Sequence, residues 1–185
     1  MKTIVTAVCH VLETERLQLR APQRGDLETY LRLAGDPRVA LKTAGIPHPL
    51  READATRWLE RVNYGNRRTF VIERKDGTGM IGAVHLEIRP DRVSAEAGFW
   101  IGVPYWRRGH ATEALRGILR HAFEDQGLLY VTTGIPAGNP AAERVLRKAG
   151  LKFESYVEGG FRRDGVILDR VNHGLFADEW KALHC

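Results

Sequence analysis

Between positions 111 and 123 the apolar residues Ala111, Ala114, Leu115, Ile118, Leu119, Ala122 and Phe123 fall at the i, i+3, i+4, i+7 spacing of one helix face, and Gly127 stops the run. What flanks this helix constrains the fold most. Before it lie β-rich runs at residues 69–73, 80–88 and 93–103, joined by Lys75-Asp76-Gly77 and Pro90-Asp91-Arg92. Asp-Gly accepts positive φ, so the first join predicts a hairpin and the second continues it as a meander. After the helix, residues 128–133 have the pattern of a buried strand. The order predicts an α+β fold whose central sheet is mainly antiparallel and passes into strand-to-helix crossovers with flanking helices.

The rest of the chain fits that plan. Leu17 and Leu19 share a face of a strand at residues 15–20, and Gly25-Asp26 can cap a helix carrying Leu27, Tyr30, Leu31 and Ala34, ended by Gly35-Asp36-Pro37. A turn-rich loop, residues 45–49, leads to a second amphipathic helix with Ala55, Trp58, Leu59 and Val62. Asn139-Pro140 reads as an N-cap followed by proline at the first helical position, and Ala142, Val145, Leu146 and Ala149 form its stripe. Residues 151–157 and 166–175 are strand-like runs around Arg163-Asp164-Gly165. Residues 4–12 read as a first strand rather than a signal segment, because Thr6 and His10 interrupt the apolar run.

Composition narrows the function. A chain of 185 residues suits a single domain, expected here to span residues 1–185, and 43% hydrophobic with 28% charged residues excludes collagen-like and disordered readings. The longest stretch without a formal charge, residues 126–142, is broken by glycines and prolines, so no membrane span is expected. Lys and Arg number 28 against 23 Asp and Glu, a net charge of +5 that favours anionic partners. The basic residues are scattered among acidic ones, which argues against direct nucleic-acid binding. Two cysteines, Cys9 and Cys185, with no CxxC pair, give neither a disulfide framework nor a zinc site. A cytoplasmic location and no metal are expected.

The segment from Tyr105 to Ala114 reads Tyr-Trp-Arg-Arg-Gly-His-Ala-Thr-Glu-Ala and joins a strand to the long helix. A helix start leaves four backbone N–H groups unpaired and carries about half a positive charge, and a glycine there lets an anion approach the main chain. Arg107 and Arg108 add formal charge beside Gly109. A phosphate-bearing ligand fits this segment, and so does a plain helix entry with two solvated arginines. GxxxxGK[ST], GxGxxG between strand and helix, and GxSxG are all absent, which removes nucleotide hydrolase, dinucleotide-binding and serine hydrolase readings.

With these residues in hand the chain resembles the GNAT superfamily of acyl-CoA-dependent N-acetyltransferases, whose signature is Q/R-x-x-G-x-G/A at the start of the central helix. Trp106 takes the first place, as in the ribosomal-protein N-terminal acetyltransferase branch, which commonly reads YWGKGYATEA. Thr14-Glu15-Arg16-Leu17, Glu96-Ala97-Gly98-Phe99-Trp100-Ile101, Asn139-Pro140, Lys148-Ala149-Gly150 and Glu179-Trp180 extend the likeness over residues 12–181.

The resemblance implies acetyl-CoA as co-substrate, its diphosphate on the amides of Arg107, Arg108, Gly109, His110, Ala111 and Thr112, and its pantetheine along Ile101, Gly102 and Val103. The thioester is expected where two parallel strands, residues 99–103 and 128–133, splay apart, with Asn139 near the second strand's exit. Glu96 is the expected base, with Glu87 and His85 behind it. Relatives often carry serine at the position of Ala142 or tyrosine at that of Leu146; both hydroxyls are absent here, which leaves Tyr156, Tyr130 or water to protonate the thiolate. The acceptor, a protein N-terminus or small amine, is expected among the first two helices, where Tyr30 and Trp58 either line its pocket or pack together, the loop at residues 45–50, and a final hairpin closing over it at residues 161–164. A homodimer is compatible with the sequence, which marks no interface for one. The alternative is a non-catalytic acyl-CoA-binding module, which the missing hydroxyls favour.

Overall fold

The computed structural model describes residues 11–62 and 64–184. Cys9, Cys185 and all but the last two residues of the expected first strand lie outside them. The described elements are β1 (Leu12–Glu13), β2 (Leu17–Arg20), α1 (Leu27–Ala34), α2 (Pro37–Ala40), α3 (Glu52–Arg61), β3 (Arg67–Arg74), β4 (Gly79–Ile88), β5 (Ser94–Ile101), α4 (His110–Arg120), β6 (Tyr130–Pro136), α5 (Pro140–Lys148), β7 (Lys152–Arg163), β8 (Val166–Phe176) and α6 (Ala177–His184). The strands form one sheet in the order β1-β2-β3-β4-β5-β6-β8-β7, and β5–β6 is the parallel pair among antiparallel neighbours.

Strand alternation sends side chains to two faces with different cores. Ala95, Ala97 and Ile101 of β5 and Val131 and Ile135 of β6 meet Ala114, Leu115 and Ile118 of α4 and Leu146 of α5. On the opposite face Val71 and Met80 join Tyr30, Ala34 and Ala55. There Tyr30 stacks on Trp58 with ring centroids 4.2 Å apart and meets Trp100 of β5 edge-on at 5.8 Å. Helices α1 and α3 thereby cover the β3–β5 half of this face, while on the β6–β8–β7 half Tyr130, Glu154, Arg170 and Asn172 line an open polar cavity.

The parallel ladder is short. It pairs Ser94, Ala95 and Glu96 with Tyr130, Val131 and Thr132 and then stops, although β5 runs on to Ile101 and β6 to Pro136. A splay is present, but it opens from Ala97 and Thr133 onward, so residues 128–132, expected within it, belong to the strand's approach and its paired base.

Three elements differ from the sequence reading. The helix expected to run to Gly127 ends at Arg120 and continues as a wider π turn, His121–Asp125, whose closing bond runs from Gln126 N–H to the His121 carbonyl at 3.0 Å. Ala122 and Phe123 stay buried through it, Phe123 5.8 Å from the ring of Trp180. Helix α6, whose Trp180 is 3% exposed and donates to Glu124, was visible only as a two-residue likeness. Helix α2 is a single turn, started by the Asp36 carboxylate accepting from the Arg38 amide. Among the described residues no helix is long and apolar enough to cross a membrane, and no group of His, Cys, Asp and Glu is placed to hold a metal ion.

Candidate functional site

The strand-to-helix corner has the geometry its residues suggest. Gly109 sits at the N-cap of α4 with φ +82°, a left-handed conformation that glycine adopts at little cost, and Arg107 also has positive φ, +60°. Alternating the hand of the backbone in this way turns successive N–H groups to one side. None of the amides from Arg107 to Thr112 donates to an acceptor among the described residues; the first bond of the helix is Glu113 N–H to the Gly109 carbonyl at 3.0 Å. Arg107 and Arg108 are exposed beside this row, and the corner is ready for an anion. His110 faces inward. It is buried, and burial, helped by the charge of Arg16, holds its imidazole below the ordinary histidine range, so it packs the loop from beneath as a neutral ring.

Two of the quoted sequence segments turn out to touch. Arg16 donates through Nε to Glu113 Oε2 at 2.7 Å and through Nη1 to the Arg108 carbonyl at 3.0 Å, while the Arg16 amide and the Thr14 hydroxyl both donate to Glu113 Oε1 at 2.7 Å. Burial alone would raise the Glu113 carboxyl; the hydrogen bonds from Thr14 and Arg16 outweigh it and hold the group below the usual carboxylate range. A Cβ on Gly109 would lie 3.2 Å from Arg16 Nη2. The turn between β1 and β2 therefore braces the corner from about ninety residues away.

At the splay, the Gly102 amide donates to the Ile81 carbonyl, so in the antiparallel ladder residues 96, 98, 100 and 102 address β4 and residues 97, 99 and 101 address β6. Beyond the last ladder pair, Phe99 and Ile101 turn main-chain groups into the gap. The strand's exit is more occupied than the resemblance implies: the Ile101 carbonyl accepts from Trp106 Nε1 at 2.6 Å, and the Gly102 and Val103 carbonyls accept from the Tyr105 and Trp106 amides. Main-chain groups of Phe99 face the gap, while at Ile101, Gly102 and Val103 the carbonyls are taken up within the turn.

Glu96 sits at the base of the splay on the face opposite α4. His85, Glu87, Gly98 and Thr132 share that face by register. The His85 ring lies against Gly98, where a Cβ would approach Cε1 to 2.3 Å; burial, with Arg67 adding to it, pushes His85 down to about 3, so the ring is neutral. Glu96 Oε1 accepts from Arg170 Nη2 at 2.9 Å, and Oε2 lies 3.9 Å from Arg89 Nη2. To reach Glu96 from β8, Arg170 passes over β6 at Gly134, where a Cβ would come within 2.1 Å of its Nε. Phe161 stacks on that guanidinium at 4.7 Å, and Asn172 accepts from it at 2.5 Å. No sequence signal named Arg170; the trace it left is an Asp-Arg-Val-Asn interruption of an apolar strand.

These groups line a cavity of about 370 Å³ with Arg89, Glu96, Tyr130, Glu154, Arg170 and Asn172 on its walls. Tyr130 donates to Glu154 at 2.5 Å, and burial followed by this bond raises its hydroxyl above the ordinary range. Of the candidate proton donors Tyr130 thus shares the cavity with Glu96. Tyr156 does not: it sits on edge strand β7, two strands from β6, on the opposite face, and donates to Asp169, which raises its hydroxyl and lowers the Asp169 carboxyl.

The remaining residues fall around this centre. Asn139 Oδ1 caps α5 by accepting from the Ala142 amide at 3.2 Å, and its Nδ2 donates to the Lys42 carbonyl at 3.3 Å, so the exit of β6 is tied to the loop after α2. Ala142 is part-buried and Leu146 fully buried, neither offering a proton. Tyr30 and Trp58 stack on each other and hold α1 to α3. The β7–β8 hairpin does reach across: Arg163 donates to the Leu41 carbonyl at 2.8 Å and Asp164 accepts from the His48 amide at 3.2 Å, closing the rim over the loop.

Comparison with known proteins gives the family and the fold. Residues 16–152 match the acetyltransferase (GNAT) domain. FsC-acetyl coenzyme A-N(2)-transacetylase of Aspergillus fumigatus is 27% identical, over 91% of this chain and 77% of its own length. A GNAT-family acetyltransferase from Bacillus anthracis superposes with a TM-score of 0.82 at 18% identity, covering 91% of this chain and 99% of that one. The ribosomal L7/L12 alpha-N-protein acetyltransferase RimL, solved in complex with coenzyme A, superposes with a TM-score of 0.78 at 15% identity, covering 92% of this chain and 99% of that one. At that identity the structures speak for the fold alone, whereas the domain match spans most of the chain: it belongs to the acetyltransferase (GNAT) family and is an acetyl-CoA-dependent N-acetyltransferase.

Proposed function

We propose that the protein moves the acetyl group of acetyl-CoA to a primary amine, on a peptide N-terminus or a small molecule, by direct attack with both substrates bound. The observation that carries this is the braced corner at Arg107–Thr112, whose unpaired amides suit the CoA diphosphate and open beside a splay whose base carries Glu96. In that arrangement the pantetheine arm runs along the free edge at Phe99 and Ile101, and a Phe99 N–H facing the gap stabilises the developing oxyanion. The amine nitrogen attacks the thioester carbon, the C–S bond breaks, and the ammonium proton passes to Glu96 directly or through water. Arg170 fixes the direction of that carboxylate. With Ala142 and Leu146 silent and the Tyr156 hydroxyl given to Asp169, the sulfur leaves as thiolate and takes its proton from water. Alignment of the two reactants supplies much of the rate.

Incubation with acetyl-CoA and a panel of peptides, polyamines and aminoglycosides, followed by thiol detection, tests the reading. CoA release above background with at least one amine is expected; none across the panel contradicts it. The missing hydroxyls at Ala142 and Leu146 favour one other reading, an acyl-CoA-binding module without turnover, which calorimetric CoA binding in the absence of any release would select.

A further inference from the structure

The polar cavity beside the splay contains two cations and two anions of formal charge, Arg89, Arg170, Glu96 and Glu154, so its charge sums to zero. All four are ion-paired or hydrogen-bonded, but only three make side-chain hydrogen bonds within it. Arg170 serves Glu96 and Asn172, and Glu154 holds the Tyr130 hydroxyl. Arg89 is the exception. Its nearest carboxylate oxygen is 3.9 Å away, beyond hydrogen-bond range, and its side chain is 43% exposed at the rim. The cavity therefore holds a guanidinium with donors to spare next to a carboxylate that faces the splay.

We infer that this cavity is the acceptor site and that it selects amines carrying their own anionic group, the ammonium directed to Glu96 and the anion to Arg89. This rests on the acetyl-transfer reading for the word acceptor; the charge selectivity stands apart from it. A guanidinium fork matches a carboxylate in two parallel hydrogen bonds, which gives direction as well as attraction. A diamine brings two positive charges to a neutral cavity and leaves one of them against Arg89, a like-charge placement that complementarity penalises. The volume, about 370 Å³, lies at the small end of the range for ligand sites and fits an amino acid or dipeptide terminus.

Calorimetry on the protein saturated with CoA tests the inference with three probes: glycylglycine, glycylglycinamide and 1,4-diaminobutane. Glycylglycine is expected to bind at least about tenfold tighter than the other two, a gap of about 1.4 kcal/mol, and Arg89→Gln to bring it down to the level of the amide, whose own affinity stays as it was. Equal binding of the amide or the diamine, an unchanged ratio in Arg89→Gln, or no binding by any probe overturns the inference. Thiol release with the same probes separates the two readings: selective binding with no release on any amine sinks the transfer reaction and leaves the charge selectivity in place.

Discussion

The corner at Arg107–Thr112 and the polar cavity around Glu96 lie at opposite ends of β5 and are built from different material. The corner is main chain: unpaired amides, two left-handed residues, and one brace from Arg16 to Glu113 and the Arg108 carbonyl. The cavity is side chain: groups from β5, β6, β7 and β8 and from the β4–β5 turn, several held by charge-assisted hydrogen bonds. A main-chain site recognises what every donor molecule shares, a diphosphate, and needs few residue identities. A side-chain site recognises what differs among acceptors.

Substitutions break this contrast unequally. The largest effect is expected at Glu96→Gln, which keeps the Arg170 contact and removes the proton acceptor: kcat should fall by about 10²–10³ while KM for acetyl-CoA stays within about twofold, a split that steady-state kinetics reads. Next is Gly109→Val, which forces a β-branched residue into positive φ beside Arg16 Nη2. A cost of about 1–2 kcal/mol in the corner alone corresponds to a rise of roughly five- to thirtyfold in the Kd for CoA, measured by calorimetry, with the acceptor KM untouched. Removing the brace with Arg16→Ala should weaken CoA by about five- to tenfold, on the scale of a charge-assisted hydrogen bond of about 1–1.5 kcal/mol, discounted because the arginine is half exposed. Arg16→Lys, which keeps the charge and loses the fork, should recover part of it. Smallest is Tyr156→Phe, expected to leave kcat within about twofold, because its hydroxyl is spent on Asp169 two strands away from β6; a loss of a hundredfold would return the proton-donor role to it.

The same contrast governs what could be read from the chain. Helical spacing in α4, the Asn139-Pro140 start of α5 and the Asp-Gly hairpin between β3 and β4 are local signals, and each element starts where its residues asked for it, although α4 gives way to a π turn after Arg120. The corner was legible for the same reason, since its amides follow from a helix start and a glycine. Segments Thr14–Leu17 and Ala111–Ala114 were visible as separate likenesses, but that Arg16 meets Glu113 depends on β2 lying beside the start of α4, which no periodicity encodes. Arg170 was invisible because its partner Glu96 is 74 residues away and its path depends on a missing side chain at Gly134. The placement of Tyr156 turned on strand order: β8 inserts between β6 and β7, putting β7 at the edge, whereas adjacency in sequence suggests it next to β6. Helix α6 was missed because eight residues with one buried tryptophan give too short a stripe to count.

The central claim is that the amides of residues 107–112 hold the donor's diphosphate, and a crystal structure with bound acetyl-CoA tests it most directly. Both phosphates within about 3 Å of those main-chain nitrogens, with the acetyl group in the gap beside Phe99, is the predicted result. A coenzyme bound elsewhere, with those six amides facing solvent, would contradict the account.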